Sequence, residues 1–485
     1  MAKIKSLFRC QNCAATFPKW MGQCGECGSW NTLVEEISEA PDVNRRSQVK
    51  NTLSDDDIAK KRVVFSQVQR SSGSKQRFST SIGEMDRVLG GGLVAGMVVL
   101  LGGEPGIGKS TLLTQMILQI LRLRKDAVKT VKPLKIFYVA GEESPGQISL
   151  RIDRFLDNEQ NSYSREEIGE SLIFITTTDV DELNVLIRKD KPDLLIVDSI
   201  QSLSTSFLTG ASGSVGQIRE VADRIINVVK SLGIPTFLIG HITKDGVIAG
   251  PKVFEHMVDT VLLLEGERSD QLRMLRSLKN RFGATDEVGL FQSDDYGLRE
   301  ISNPSELFLE NTNQLVTGAA TVCLMEGTRP LLAEVQALVV KSQLAMPRRV
   351  GRGVDLARIQ VLSAVLQKHA SLPLAFYDIF LSVAGGFRIK EASVDLGLAV
   401  SIASSLTGKK IPQSTVFIGE IGLLGEIRKT PYFERRAKEA RRLGFSKIIS
   451  RETHSNIREL LKDLGLLSKQ EIRRETKPEI ENEEF

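Results

Sequence analysis

A glycine-rich segment in the first half of the chain reads Gly103-Glu104-Pro105-Gly106-Ile107-Gly108-Lys109-Ser110. It has the full pattern GxxxxGK[ST] and lies between the apolar run Met97–Leu101 and the helical stretch Thr111–Arg124. Glycines in such a turn let backbone N–H groups point at phosphate oxygens. Lys109 would supply a positive charge to the β and γ phosphates, and Ser110 would offer its hydroxyl to Mg²⁺. We therefore expect this segment, together with Thr111 at the start of the helix, to bind ATP and Mg²⁺.

Further apolar runs follow at intervals that are long enough for crossover helices. They are Ile136–Ala140, Leu172–Thr176, Leu194–Val197, Thr236–Ile239 and Val261–Leu264. Continuous apolar runs of this length are typical of strands that are buried on both faces. The alternation predicts an α/β domain built on a mainly parallel sheet.

Carboxylates stand at the ends of two of these predicted strands. The run Asp193–Asp198 reads DLLIVD, and we expect Asp198 to act on the magnesium ion. The run that ends at Ala140 is followed by Gly141, Glu142 and Glu143. A carboxylate there can activate the attacking water, although an acidic residue at a strand end can also be a loop charge or a helix cap.

Four of the five cysteines lie near the amino terminus with the spacing C-x2-C-x10-C-x2-C: Cys10, Cys13, Cys24 and Cys27. Two CxxC knuckles supply four thiolates to one tetrahedral site, which suits structural Zn²⁺, and a redox dithiol is the alternative. So small a module cannot bury a core, so metal binding would supply most of its folding energy. We expect four aromatic residues to pack around it: Phe8, Phe17, Trp20 and Trp30.

Composition restricts the class of protein further. The 485 residues are 41% hydrophobic and 26% charged, which excludes a collagen-like, coiled-coil or wholly disordered chain. The net charge of +4 demands no polyanionic partner, so any nucleic-acid contact requires local clusters of basic residues. The longest apolar run, Leu93–Leu101, is about half of a bilayer span, and no targeting signal is visible. We expect a cytoplasmic protein without membrane contact.

The core resembles a known family at several motifs. Phe78–Gly103 is similar to the entry of RecA/KaiC-type ATPases, and the similarity continues through Tyr138–Gln147, Gly240–Lys244 and the KNRFG turn at Lys279–Gly283. With its cysteine finger and carboxyl-terminal region, the chain resembles the bacterial RadA (also called Sms) family over about residues 5–465. The resemblance implies a hexameric ring on DNA with ATP between subunits.

Several residue roles follow from this resemblance. It favours Glu142 over Glu143 as the water-activating carboxylate, and it implies that Lys279 and Arg281 complete the ATP site of a neighbouring subunit. Two segments resemble DNA-facing loops, Ser202–Gly216 and Thr243–Lys252. Within them we expect Lys244 and Lys252 to contact DNA. His241 is either a switch between nucleotide and DNA or a structural histidine.

The carboxyl-terminal region has a second α/β pattern after residue 305. Val394–Leu406 and Ile418–Ile427 resemble the proteolytic domain of Lon, and the comparison places Ser393 near the nucleophile position. The expected lysine falls near Glu434, beside Arg435 and Arg436. Because neither side chain supplies a neutral amine, we do not expect peptidase activity.

Basic residues cluster in this region instead. Lys341, Arg348, Arg349 and Arg352 surround Pro347 and two glycines, which indicates a loop suited to phosphate contacts on duplex DNA. A second pair is Arg388 and Lys390. A third set lies at helical spacing and could also be a solvated helix face: Arg435, Arg436, Lys438, Arg441 and Arg442.

We predict five regions along the chain: a C4 zinc finger over 1–35, a linker over 36–65, a RecA-like ATPase over 66–300, a Lon-protease-like DNA-binding domain over 301–467, and a disordered tail over 468–485. The predicted function is that of a DNA-dependent ATPase and ring-forming helicase in homologous recombination and repair, acting by branch migration or D-loop extension. Single-stranded and branched DNA, a homo-hexamer, a RecA-type recombinase and a nucleoid location are implied. The alternatives are a KaiC-like signalling ATPase and a Lon-type protease.

Overall fold

The computed structural model describes most of the chain. The described residues are 5–10, 15–30, 32–38, 77–127, 134–156, 165–208, 210–241, 252–266, 271–301, 305, 309, 316–384, 388–412 and 414–467. The chain divides into two compact units, Met1–Ile301 and Ser302–Phe485. The predicted limits of the finger, the linker and the tail stay predictions.

The amino-terminal module is a three-stranded antiparallel sheet. Its strands are β1 (Lys5–Cys10), β2 (Thr16–Phe17) and β3 (Leu33–Ser38), in the order β2-β1-β3. Phe8 and Phe17 are register partners, and both pack against a small core of Cys10, Cys24 and Leu33.

The predicted packing of the two tryptophans is wrong. The exposed fractions of Trp20 and Trp30 are 56% and 70%. A ribbon of this size has one small buried side, and Phe8 and Phe17 already occupy it.

The first unit continues as an α/β domain with seven helices and nine strands within its described residues. In chain order they are α1 (Gly83–Leu89), β4 (Val98–Gly103), α2 (Lys109–Ala127), β5 (Ile136–Ala140), α3 (Pro145–Leu156), α4 (Arg165–Gly169), β6 (Leu172–Ile175), α5 (Val180–Asp190), β7 (Leu194–Asp198), α6 (Val215–Leu232), β8 (Thr236–His241), α7 (Lys252–Met257), β9 (Thr260–Glu265), β10 (Leu272–Asn280), β11 (Val288–Asp294) and β12 (Gly297–Glu300). All six predicted strands and the predicted helix after the glycine-rich segment are confirmed.

The nine strands form one sheet in the order β12-β11-β10-β9-β4-β8-β7-β5-β6. All strand pairs from β9 to β6 in this order are parallel. Strands β10, β11 and β12 pair antiparallel with their neighbours, so the prediction of a mainly parallel sheet is confirmed. In β4, Val99 and Leu101 belong to the core on one face, and Val98 and Leu100 belong to the core on the other. This double burial explains why the strand sequence is apolar throughout.

The second unit is a separate α/β fold. Its elements are β13 (Ala319–Glu326), β14 (Arg329–Lys341), β15 (Arg349–Arg352), α8 (Leu356–Ala370), β16 (Tyr377–Val383), α9 (Asp395–Thr407), β17 (Thr415–Phe417), β18 (Glu420–Ile421), β19 (Ile427–Arg428), α10 (Phe433–Arg442), β20 (Lys447–Ile449) and α11 (Ile457–Asp463). Six strands form a mixed sheet in the order β15-β16-β14-β13-β17-β20, and β18 pairs with β19. Among the described helices of both units, none combines the length and the apolar character that crossing a membrane requires.

The expected loop at Arg348–Arg352 is wrong for most of its length. Arg349–Arg352 forms β15, the edge strand that pairs in parallel with β16. Gly351 serves a close approach of two backbones, since a Cβ there would lie 2.2 Å from the carbonyl oxygen of Val354. Glycine is therefore needed here for packing and is no sign of a loop.

One of the arginines in α10 is part of the core of the second unit. Arg436 is 1% exposed and forms an ion pair with Glu391, with Nη2 lying 2.5 Å from Oε2. Its Nη1 donates to the carbonyl oxygen of Cys323, and its Nε donates to that of Pro431. The guanidinium thus ties α10 to β13 and to the segment before α9.

Arg436→Ala should destabilise this unit by about 3 kcal/mol, because it removes the buried cation of an ion pair. Glu391 then lacks its counter-charge, and the carbonyl oxygens of Cys323 and Pro431 lack this donor. Hydrogen–deuterium exchange of peptides from β13 and α10 measures the change as faster opening. Arg442→Ala is the control, since its side chain is 55% exposed and its ion pair with Glu439 lies within one helix. Such a pair contributes about 1 kcal/mol or less. Equal exchange in the two variants would contradict the structural role of Arg436.

Candidate active site

The glycine-rich segment lies in the middle of the first sheet, between the end of β4 and the start of α2. Gly106 and Gly108 have φ values of +79° and +113°, which only glycine adopts without strain. Lys109 is 5% exposed, and its Nζ donates to the carbonyl oxygens of Gly103 and Glu104, both at 2.9 Å. The loop thus binds the ammonium group of Lys109 with its own carbonyl oxygens.

Burial lowers the pKa of Lys109, and the negative charges of Asp198 and Glu142 act in the opposite direction. These two carboxylates are therefore close enough to act on the ammonium group electrostatically. The structure brings together three of the predicted residues, Lys109, Asp198 and Glu142, at the carboxyl edge of the parallel strands. Ligands of open α/β sheets bind at this edge.

Asp198, at the end of β7, is 4% exposed. Burial raises its pKa, while hydrogen bonds from the hydroxyls of Tyr138 and Ser110 lower it. The Tyr138 hydroxyl donates to Oδ2 of Asp198 at 2.6 Å. The Ser110 hydroxyl and the Asp198 carboxylate thus lie side by side, as a shared magnesium site requires.

The two neighbouring glutamates differ in their surroundings. Glu143 is bound to Arg151, whose Nη2 lies 2.6 Å from both carboxylate oxygens. Glu142 is exposed, its backbone N–H donates to the carbonyl oxygen of Asp198 at 3.1 Å, and its carboxylate acts on Lys109. Glu143 is thus paired with a cation of α3, whereas the Glu142 carboxylate acts on the lysine of the glycine-rich segment.

The cations of the KNRFG turn form a cluster at Asp259. Lys279 donates through Nζ to three carbonyl oxygens at the end of α7, those of Glu255, His256 and Val258, at 2.8, 3.3 and 2.8 Å. Burial, and then the charge of Arg281, lowers the pKa of Lys279. The Arg281 side chain is 54% exposed, and its Nη1 lies 3.4 Å from Oδ1 of Asp259, so it can reorient more easily than Lys279.

The first predicted DNA loop is irregular between a short 3₁₀ turn and α6. Gln217 stabilises it by donating to the carbonyl oxygens of Thr205 and Leu208. Phe207 is 74% exposed, and the Arg224 guanidinium lies 4.1 Å from its ring centroid. Lys244 lies outside the described residues. Lys252 begins α7, but its side chain and that of His241 are also outside the description.

The three arginines predicted to bind DNA in the second unit have different environments. Arg348 pairs with Asp378 at 3.0 Å and lies over the Phe380 ring. Arg349 donates to the carbonyl oxygens of Tyr377 and Leu374, and Arg352 is exposed. They share one edge of the sheet.

The region that resembles a protease site contains a fixed cation. Ser393 is 4% exposed, and its Oγ has no hydrogen-bond partner within the described residues. Arg436, near the position expected for a catalytic lysine, is paired with Glu391. Burial raises the pKa of Asp395 to about 7. A guanidinium in an ion pair does not accept a proton from a serine hydroxyl.

Sequence reasoning missed Tyr138, Arg151 and Asp259. Tyr138 was hidden in the apolar run of β5, although a tyrosine inside a strand buried on both faces needs a partner for its hydroxyl. Arg151 and Asp259 carry no motif of their own, and their roles depend on tertiary contacts.

Three of the four predicted zinc ligands are within the described residues. The sulfur atoms of Cys10, Cys24 and Cys27 all lie within 4.8 Å of one another, and those of Cys10 and Cys27 are 3.6 Å apart. Two thiolates on one tetrahedral zinc ion, at about 2.3 Å each, are about 3.8 Å apart. The donor set therefore fits zinc, and Cys13 lies outside the described residues.

Three family models match separate regions of the chain. The model described as a rubredoxin metal binding domain matches residues 8–35, the AAA domain matches 67–247, and the model for subunit ChlI of Mg-chelatase matches 350–453. Together with the geometry, they define a protein with a zinc-binding ribbon and a RecA-like P-loop ATPase domain, followed by a Lon-like α/β domain.

Relatives identify the family. The chain is 42% identical over 449 residues to the DNA repair protein RadA of Bacillus subtilis, covering 93% of each chain. It is 43% identical over 476 residues to that of Rickettsia bellii, covering 96% of this chain and 99% of the relative. The chain belongs to the RadA family. Among solved structures, a KaiC-like protein from the hyperthermophilic archaeon Pyrococcus horikoshii is similar at 19% identity, with a TM-score of 0.36, over 47% of this chain and 99% of that one.

Glu142→Gln should lower kcat for ATP hydrolysis by about 100-fold or more, because the amide cannot accept a proton from water, while nucleotide affinity is retained. Glu143→Gln is the matched control. The kcat of Glu143→Gln should fall by less than about fivefold, since the partly exposed ion pair with Arg151 contributes about 1 kcal/mol or less. Steady-state ATPase assays and nucleotide titrations measure both. The reverse ranking would exchange the two roles.

Cys24→Ser should remove most of the bound zinc, because an alcohol is a poor ligand for this metal. Metal analysis of the purified protein should give about one zinc per chain for the wild type and for Cys323→Ala. Cys323 is a suitable control because it is buried in the second unit. Equal zinc contents in Cys24→Ser and the wild type would refute a zinc site at this ribbon.

Proposed function

We propose that this protein is an ATP-driven DNA motor in recombination and repair. The supporting observation is that Lys109, Ser110, Asp198 and Glu142 lie together at one sheet edge, in a member of the RadA family. The relatives are DNA repair proteins by name. Hydrolysis of ATP would drive translocation on single-stranded or branched DNA, with branch migration or D-loop extension as the result.

Each residue has a defined task in this proposal. Lys109 leaves the carbonyls of Gly103 and Glu104 and binds the β and γ phosphate oxygens. Ser110 and Asp198 would hold Mg²⁺, which would supply positive charge beside those oxygens. Glu142 orients the attacking water and accepts its proton. The burial of Lys109 and Asp198 would strengthen their electrostatic interactions with the phosphates and the metal.

The site is completed by a neighbouring subunit of a ring, for which a hexamer is the expected form. We assign the trans-acting role first to Arg281, because its guanidinium is half exposed and makes one long contact to Asp259. Lys279 would have to release three carbonyl oxygens before it could reach a phosphate. A guanidinium from the neighbour would stabilise charge on the transferred phosphoryl group.

DNA would contact both units. In the first, the loop around Phe207 offers an exposed aromatic ring on which a base can stack, and Lys244 and Lys252 would bind phosphates. In the second, Arg348, Arg349 and Arg352 would bind phosphates along the sheet edge. A RecA-type recombinase as partner and a nucleoid location in the cytoplasm are further parts of the proposal.

The proposal predicts that single-stranded DNA raises the ATPase rate of the wild type several-fold, and that Lys109→Ala loses hydrolysis. Ser393→Ala should keep both the rate and the stimulation, because Ser393 belongs to the second unit and has no task in ATP hydrolysis in this proposal. The assay measures phosphate release with and without DNA at low salt. Equal rates in both conditions, with no DNA binding, would favour a KaiC-like signalling ATPase.

A mixing experiment tests the shared site. Lys109→Ala and Arg281→Ala should each be inactive alone. In randomly mixed rings, roughly a quarter of the sites combine an intact P-loop with an intact neighbouring arginine, so activity should return to about that level. Mixing Lys109→Ala with Asp198→Ala is the control, which should give no recovery because both residues act in cis and every site keeps one of the two lesions. If the mixture of Lys109→Ala and Arg281→Ala stayed inactive, Arg281 would not act in the ATP site of the neighbouring subunit.

A further inference from the structure

Tyr138 carries the one polar side chain of β5, whose sequence is Ile-Phe-Tyr-Val-Ala. The residue is 0% exposed, and its ring packs edge-on against Phe174 with centroids 6.0 Å apart. A phenylalanine would fill the same space without a hydroxyl to satisfy. The hydroxyl therefore needs an explanation beyond packing.

Its partner is the carboxylate of Asp198. Tyr138 donates to Oδ2 at 2.6 Å, across the parallel pair β5 and β7, in which Ala140 is the register partner of Asp198. Ser110 donates to the same carboxylate. The backbone N–H groups of Gly141 and Glu142 also donate to the carbonyl oxygen of Asp198, at 2.9 and 3.1 Å. The end of β5 thus holds both the main chain and the side chain of Asp198.

We propose that Tyr138 is a positioning residue, whose hydroxyl fixes the carboxylate of Asp198 in the orientation that binds the metal of the metal–nucleotide complex. The inference rests on the proposed ATPase function. Groups that hydrogen-bond a metal-binding carboxylate orient it and commonly change metal affinity by 10- to 100-fold.

The chemistry of a phenol suits this task. A phenol donates one hydrogen bond and carries no charge, so it orients the carboxylate without cancelling its attraction for a cation. A lysine or arginine in this position would also orient Asp198, but its charge would weaken binding of a divalent ion. The nearby cation Arg151 is already engaged by Glu143.

Tyr138→Phe tests the proposal, with Mn²⁺ and ADP as the probe and without DNA. Electron paramagnetic resonance measures Mn²⁺ bound to the protein–ADP complex, and a fluorescent ADP titration in chelator measures metal-free nucleotide affinity. We expect Mn²⁺ affinity to fall by about tenfold or more while metal-free nucleotide affinity stays within about twofold of the wild type, which also shows that the P-loop is folded.

Phe174→Leu is the matched control, because it removes the edge-on partner of the ring but keeps the hydroxyl. It should lower the melting temperature and leave Mn²⁺ affinity unchanged. Wild-type Mn²⁺ affinity in Tyr138→Phe, or an equal loss in Phe174→Leu, would overturn the proposal. Absence of DNA-stimulated hydrolysis in the wild type would instead overturn the motor function, and would leave the Mn²⁺ result standing.

Discussion

Burial of the parallel sheet on both faces is the constraint from which the rest of the first unit follows. Strand β4 sends alternate side chains into two separate cores, so neither face can accommodate a charge. In the parallel strands the charged side chains therefore stand at the carboxyl ends, as Asp198 in β7 and Glu265 in β9 do. At the carboxyl edge the hydroxyls of Tyr138 and Ser110 donate to the carboxylate of Asp198, and the backbone N–H groups of Gly141 and Glu142 donate to its carbonyl oxygen. Ligands of open α/β sheets bind at this edge.

Local patterns predicted what local physics determines. The P-loop and the six apolar strands are each encoded by contiguous residues, and each was found where the pattern predicted it. The sequence could not tell that Trp20 and Trp30 stay exposed, because that depends on how little surface a small ribbon buries. Nor could it tell that Gly351 serves a close backbone approach, since the same residue type is common in loops.

In the functional site, too, residues of contiguous motifs were predicted, whereas residues whose roles depend on tertiary contacts were not. Lys109, Ser110 and Asp198 belong to motifs and were predicted, and the family resemblance favoured Glu142 over Glu143. The ion pair of Glu143 with Arg151, eight residues further on in α3, is a tertiary contact that the sequence does not show. Arg436 illustrates the reverse case. At helical spacing it looks like one more surface cation, but its partner Glu391 lies 45 residues away in sequence, and their pairing places it in the core.

The three carbonyl contacts of Lys279 have a thermodynamic consequence. An anion that attracts this ammonium group must compete with the last turn of α7 for the same cation. If Lys279 bound such an anion, those carbonyl oxygens would lose their donor and the end of α7 would become less stable. By linkage the relation is reciprocal, so any ligand that orders α7 weakens the attraction of Lys279 for a distant anion by the same factor. The ammonium group of Lys279 therefore cannot bind a distant anion and the carbonyl oxygens at the end of α7 at the same time.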